Sequence, residues 1–503
     1  MEKSIDEINR RILDGSARVV TADEMPDIVS ELGEEGALRE VDVVTTGTFG
    51  AMCSSGAFLN FGHAEPPIKM ERIWLNDVEA YGGLAAVDTY IGATNKSVTR
   101  LENYGGAHVI EDFISGKAVE LRAQSSGSDC YPRRSITTEV RLEDLNQAIM
   151  VNPRNAYQRY DAAVNTSEDT LFTYMGTLTP HNGNVSYSGA GTLNPICNDP
   201  NFRLIGSGVP ILLGGAHGMV VGEGTQHSSA GNFGTLMTTA DMNDMTTDLV
   251  RAGFMYRYGP TLYLGVGIPL PVVDLDVVRK TAVRDEEILV SIKDYGVPSR
   301  SRPILRQVSY AELKSGRIEL NGEEVRTSSL SSYRRAKMVA EEVKTWVEEG
   351  QMTLCLPTRR IDPSKQAKPM RETRKVVLVQ EIMQRKVVTI KEDQEITEAA
   401  RKLLRGETNH LPVLNEQGRL TGVVTTFDLA KAVARPERKV KVQDVMTRNV
   451  ITTMADEPVD IAAQKLNHHR ISALPVVDAQ NQCIAILNAS DLGKLFKPGG
   501  NCP

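Results

Sequence analysis

Residues 376–499 repeat themselves at a constant offset of 63, without a gap. Met383 falls on Met446, Ala399-Ala400 on Ala462-Ala463, Leu411-Pro412-Val413 on Leu474-Pro475-Val476, and Asp428 on Asp491. About a third of the aligned positions are identical, and a fixed-period repeat of this kind marks duplicated supersecondary units that cannot bury their apolar faces alone. Two copies are too few for a solenoid, so the pair is expected to close on itself as one pseudo-symmetric module. The preceding 370 or so residues show no such repeat and must do a different job.

A chain of 503 residues exceeds what one core normally fills, which predicts two or three domains. With a net charge of −7 and no long basic block, nucleic acid is not the expected partner. The opening segment MEKSIDEINRRILDG is charged and amphipathic, and no apolar run approaches the ~20 residues a membrane span needs. These features predict a soluble, cytoplasmic protein. Six cysteines (Cys53, Cys130, Cys197, Cys355, Cys483 and Cys502) form no CxxC pair, and no HxH or HExxH spacing occurs. No metal site is therefore expected, and the cysteines read as thiols. Cys483 lies in an apolar run and is expected in the core, Cys197 is expected to be structural, and Cys502 sits on the terminal tail.

The front part, 1–356, alternates glycine-rich turns with short apolar strands such as Val209-Pro210-Ile211-Leu212-Leu213 and with helical stretches. This predicts a mixed, glycine-rich α/β domain. Near its end, Asn321-Gly322 predicts a type I′ hairpin, and Ala336, Val339, Val343, Trp346 and Val347 form the apolar stripe of a helix from Ser332 to Glu349. The stretch 357–375 holds three prolines and nine charged residues and reads as a linker.

Each repeat reads as strand, helix, strand, strand, helix. The first strands are expected at Val387-Val388-Thr389 and Val450-Ile451-Thr452, the helices near Glu395 and Pro458, and the later strands from Leu-Pro-Val. This βαββα order resembles the CBS domain as a tandem pair, with copies at 376–436 and 439–499. Gly422-Val423-Val424-Thr425-Thr426-Phe427-Asp428 is similar to that family's ligand motif, in which the Thr and Asp meet a ribose. The resemblance implies an adenosyl ligand, S-adenosylmethionine or an adenine nucleotide, at Thr425 and Asp428, and a homodimer. The second copy has Ala485 for the glycine and Asn488 for the threonine, so Asp491 either serves a second cleft or caps its helix.

Three stretches of the front part resemble the homocysteine-biosynthesis domain family found largely in methanogenic archaea: Thr45 through Gly56, Gln124 through Pro132, and Asn194 through Pro200. The resemblance implies an enzyme, an L-aspartate semialdehyde sulfurtransferase that makes homocysteine. It implies that Cys130 carries sulfur as a persulfide, with Cys53 as an assisting thiol, and that a small ferredoxin-like iron–sulfur partner supplies electrons. A sulfur carrier must be a thiolate. Arg133 and Arg134 follow Cys130 and either favour that state and grip the substrate carboxylate or form a solvated basic turn. Asp129 opposes the effect if it points the same way. Among His63, His108, His181, His217 and His227, one is expected to act as proton donor. No flavin or nicotinamide fingerprint is visible, since Gly265-Val266-Gly267 lacks the third glycine. The reductant is therefore expected from outside. Two other readings are a non-enzymatic adenosyl-ligand sensor and a relative of the cysteine-dependent inosine-monophosphate dehydrogenases. In the latter the CBS pair interrupts a barrel, whereas here it is C-terminal.

Overall fold

A computed structural model describes residues 2–100, 103–155, 160–299, 302–370, 376–434 and 440–493. Cys502 lies outside them. The chain forms two compact units, 1–368 and 369–503.

The front unit is a mixed α/β body built on a nine-stranded sheet. Its strand order runs Val250–Met255, Gly259–Gly267, Pro210–Leu213, Ala216–Glu223, Leu236–Asp241, Gln147–Asn155, Gly56–Asn60 and Asp88–Gly92. Thr48–Ala51 branches off by pairing antiparallel with Gly259–Gly267. A six-stranded sheet, a three-stranded sheet in which Val43–Thr45 pairs parallel with Val19–Thr21 and antiparallel with Pro269–Pro271, a four-stranded sheet that includes Val119–Gln124 and Ser135–Val140, and two two-stranded pairs make up the rest of the unit's described strands.

One helix, Tyr333–Glu348, ties this architecture together. The Ser332 hydroxyl accepts from Arg335 N, satisfying an orphan donor at its start, and Gly350 ends it at φ +71°. The five stripe residues expected from the sequence are all buried. They face a floor of glycines: a Cβ on Gly47 would lie 2.2 Å from Ala336 O, and one on Gly267 would lie 2.5 Å from Val343. Close approach of helix to sheet therefore depends on absent side chains. Burying each valine of the stripe contributes roughly 1.5–3 kcal/mol. The expected hairpin is present, with Asn321 and Gly322 both at positive φ between Arg317–Leu320 and Glu323–Ser329.

Residues 357–365 do not behave as linker. Arg359–Arg360 pairs with Gly206–Ser207, and Lys365 forms an ion pair with Glu223, so this segment belongs to the front unit. Among the described residues no helix is long and apolar enough to cross a membrane.

In the second unit the 63-residue offset becomes a two-fold exchange of contacts. Leu378 bridges Pro458 as Glu395 bridges Lys441, and Gln384 bridges Ile486 as Val423 bridges Thr447. Arg419 pairs with its own counterpart, Gln482, on the axis. The helices Ile396–Arg405 and Val459–His469 start where expected, capped at Glu395 and Pro458. The first strands do not: they are the two-residue segments Ile390–Lys391 and Thr453–Met454, just after the β-branched triplets that signalled them. Among the described residues those triplets have no strand partner, so propensity alone misplaced the pairing. Cys483 also differs from expectation. It begins an edge strand and is only partly buried, with burial raising its thiol to about 11.

Candidate active site and ligand cleft

Cys130 stands in the loop joining Val119–Gln124 to Ser135–Val140, and it is exposed. The loop is built, not slack. Ser126 gives its N–H and hydroxyl to Glu71 at 2.9 and 2.7 Å, Gly127 takes φ +78°, and Ser128 and Tyr131 exchange backbone hydrogen bonds of 3.0 and 3.1 Å. Cys130 lies inside that last closure. The Tyr131 ring stacks on His63 at 6.0 Å. His63 is thus the one of the five front histidines that these contacts bring to the loop. His227 is buried with Nδ1 bonded to Thr235, and His217 lies on Trp346 at 4.1 Å. His108 is half-buried against Tyr104, and burial lowers its pKa. The arginines after Cys130 are divided. Arg134 packs beside Gly127, whereas Arg133 is half-buried with its N–H given to Pro67.

Cys53 occupies a tight turn between Thr48–Ala51 and Gly56–Asn60. Ser55 closes the turn on Met52, and Ser54 bonds the Arg154 carbonyl. Burial pushes the Cys53 thiol above its ordinary value, while the Arg154 guanidinium and the Tyr258 hydroxyl pull it back. Tyr258 meets Tyr174 edge to face at 6.2 Å, Tyr174 bonds the Tyr295 hydroxyl at 2.8 Å, and Arg302 lies 3.7 Å over the Tyr295 ring. Arg154 and Tyr258 escaped the sequence reading because each reaches Cys53 from a distant strand or turn. No hydrogen bond joins the sulfurs of Cys53 and Cys130 among the described residues.

The third stretch is a polar knot around Cys197. Asn194 caps the short helix Pro195–Asn198, Asn198 donates to the Thr192 and Asn194 carbonyls, and buried Asp199 accepts from the N–H groups of Arg203, Leu204 and Ile205. Burial raises the Asp199 pKa against those three donors. The knot presents Cys197 in the wall of a partly open cavity of about 30 Å³ beside the strand Thr48–Ala51. The sequence reading assigned Cys197 a structural place only.

In the second unit, Asp428 Oδ2 accepts from the Thr425 N–H and hydroxyl at 2.9 and 2.7 Å, and Oδ1 makes no hydrogen bond among the described residues. The symmetry-related Asp491 is fully buried. Its carboxylate takes the Gln384 amide at 2.9 Å and the Asn488 N–H at 2.9 Å. The two equivalent positions therefore differ: an open carboxylate at Thr425–Asp428, and one already filled from within at Asp491. Among the described residues no group of three or more His, Cys, Asp or Glu could hold a metal ion.

A family described as "Homocysteine biosynthesis enzyme, sulfur-incorporation" matches residues 17–354, and the CBS domain family matches 379–435 and 442–497. A protein of Methanosarcina acetivorans named L-aspartate semialdehyde sulfurtransferase is 50% identical over 496 residues, covering 99% of each chain. A protein of the same name from Methanocaldococcus jannaschii is 49% identical over 511 residues, covering 98% of this chain and 99% of its own. Among solved structures, a CBS domain pair in complex with 5′-methylthioadenosine and S-adenosyl-L-methionine is 39% identical. It covers 24% of this chain and 97% of its own, with a TM-score of 0.23. On these matches the chain belongs to the family of sulfur-incorporating homocysteine biosynthesis enzymes, and is a sulfur-transferring enzyme followed by a CBS-domain pair.

Proposed function

We propose that the front unit converts L-aspartate semialdehyde to L-homocysteine, with Cys130 carrying the sulfur as a persulfide. The observation that carries this reading is the exposed cysteine at a braced loop, in a chain half identical over its whole length to relatives named for that reaction. An exposed thiol can take sulfur from a donor, and a braced loop can present it repeatedly to one place. Cys53, half-buried beside Arg154 and Tyr258, is suited to a second role: a thiol whose partial burial favours the neutral form, assisting release of product. Arg133 and Arg134 are candidates for the substrate carboxylate, and His63 for the acid that protonates the leaving oxygen.

The chemistry sets the requirement for a partner. Aldehyde, hydrogen sulfide, two electrons and two protons give thiol and water. The carbonyl first becomes a thiocarbonyl with loss of water, and the electrons then reduce it. Sulfur delivered from a persulfide needs two electrons more. A small ferredoxin-like iron–sulfur protein is the proposed source. The test is homocysteine formation from the aldehyde, a reductant and a sulfane-sulfur donor such as polysulfide, because loading a thiol from sulfide alone would need a two-electron oxidant. Cys130→Ser should reduce it at least about a hundredfold, as expected when a covalent carrier is lost. Mass spectrometry of the sulfur-loaded protein should find one added sulfur atom on the peptide bearing Cys130. Wild-type activity in Cys130→Ser removes this assignment.

The CBS pair is proposed to bind an adenosyl ligand, S-adenosylmethionine or an adenine nucleotide, at Thr425 and Asp428, where the free carboxylate oxygen suits a ribose hydroxyl. Asp491 is proposed as the weaker, occluded position. Leu404 and Val433, 80% and 81% exposed on the helices of the first copy, offer apolar surface for association into a homodimer.

A further inference from the structure

The four-stranded sheet that carries the Cys130 loop runs in the order Val78–Ala80, Arg72–Leu75, Val119–Gln124, Ser135–Val140. Its two faces are unlike. Ile73, Leu75, Leu121 and Ala123 are buried in the main core of the unit, so the two-residue period of a strand puts Arg72, Trp74, Arg122 and Gln124 on the other face. The register arranges that face in rows. Arg72, Gln124 and Ser135 stand side by side in the row nearest the loop, and Glu79, Trp74, Arg122 and Thr137 in the next, roughly 7 Å further along. Arg72 Cζ lies 4.8 Å from the centre of the Trp74 ring, and Arg122 Cζ lies 5.4 Å from it. One indole therefore holds two guanidiniums, both on exposed residues.

The positive charge here is not neutralised from within. Exposed arginines elsewhere in the unit are tied to carboxylates, as Arg251 is to Glu111, Arg279 to Glu34 and Arg317 to Glu324. Arg72 and Arg122 make no ion pair among the described residues. An aromatic ring orients a guanidinium without cancelling its charge, and a guanidinium is only weakly hydrated, so it gives up water readily to a partner. Tryptophan and arginine are also the residues that most often anchor protein interfaces. A small anion would need an enclosure, and these groups are spread over an open face. A nucleic acid, with its continuous run of phosphates, would also meet Glu79 beside Trp74 and the facing pair Glu120 and Glu139 one row beyond. A protein with a confined acidic patch meets the arginines alone.

We propose that this face, Arg72 and Arg122 with Trp74 between them, docks a small acidic iron–sulfur protein, the electron donor, against the Cys130 loop. Electrons pass only over short distances, so the donor must settle where the sulfur is reduced, and the arginine rows end at the loop that bears Cys130. With persulfide sulfur, aldehyde, one sulfur atom, four electrons and four protons give the thiol and water, while the donor's clusters are oxidised. The donor must therefore come and go within one turnover, and a limited patch with steering charges fits such brief encounters. That the acidic protein is an electron donor rests on the sulfur-transfer reading above; the charge pattern of the face does not.

The probe is an oxidised, acidic bacterial ferredoxin titrated calorimetrically into the full-length protein. Binding should be measurable at about 0.05 M salt and lost near 0.5 M, where exposed charges are screened. Arg72→Glu combined with Arg122→Glu should raise the Kd, and the half-saturating concentration of reduced ferredoxin in homocysteine formation, about tenfold. The rate at saturating donor and the half-saturating aldehyde concentration should not move. Glu139→Lys adds a cation to the same face and should lower the Kd roughly threefold, which a damaged fold would not do. Ferredoxin binding that survives the double reversal, ignores salt, or weakens in Glu139→Lys overturns the proposal. So does a double reversal that abolishes self-association or oligonucleotide binding in place of ferredoxin binding, since the face would then belong to a second copy or to nucleic acid. If ferredoxin binding follows these charges while the wild type makes no homocysteine from the sulfane-sulfur donor, the docking face stands and the sulfurtransferase reading falls.

Discussion

Cys130 and Cys53 are opposite kinds of thiol, and their surroundings say why. Cys130 is exposed, so its reaction with iodoacetamide is limited by its own chemistry and not by access. Cys53 is half-buried, and that partial burial disfavours its thiolate, raising its pKa above the ordinary value of 9.0. The sign is then fixed: the thiolate of Cys53 appears at higher pH than that of an ordinary cysteine. Peptide-level mass spectrometry at neutral pH should find Cys130 alkylated well before Cys53. Arg154→Gln should move the Cys53 profile further up, because it removes a cation that favours the charged form; a downward move or none would contradict the placement. The two glycine-rich loops were legible as loops. Their unlike exposure was not, because Arg154 and Tyr258 approach Cys53 from parts of the chain about 100 and 200 residues away.

Secondary-structure elements were legible where the signal was local and chemical. The hairpin at Asn321-Gly322 and the helix from Tyr333 carry their turn and cap residues within a few positions. The first CBS strands were misplaced by three residues because their two-residue pairing depends on a partner strand more than 20 residues away. What the helix Tyr333–Glu348 packs on was also invisible. Gly47→Ala tests it: the Cβ would have to fit 2.2 Å from Ala336 O, so helix or strand must shift. The expected loss is about 1–3 kcal/mol in urea unfolding with an unchanged m-value. Glycine there would be incidental if stability were unaltered.

As a whole molecule the protein holds two units with separate cores, which should melt as two transitions by calorimetry. An adenosyl ligand binding only the second unit should raise that transition, by about 2.7 kcal/mol at a free concentration one hundred times Kd. Thr425→Ala or Asp428→Ala should abolish most of that rise. Gln384→Ala, which takes the side-chain amide away from the Asp491 carboxylate, should add binding capacity in isothermal titration; unchanged stoichiometry would mean that Gln384 is not what occludes the second position. A feedback role would need ~1–3 kcal/mol of coupling between ligand and catalysis, seen as a several-fold change in rate.

The amino-acid order was sufficient for the duplication, for its βαββα order and for the motifs that carry the family resemblance, because each is written in contiguous residues whose turns, caps and apolar periods act over short distances. It was not sufficient for the cavity beside Thr48–Ala51, the glycine floor under the last helix of the front unit, or the Gln384 amide that fills one CBS position and not the other. Those arise where segments far apart in the chain meet, and the side chain that matters at each is chosen by its neighbour across the core, not by its neighbours in line.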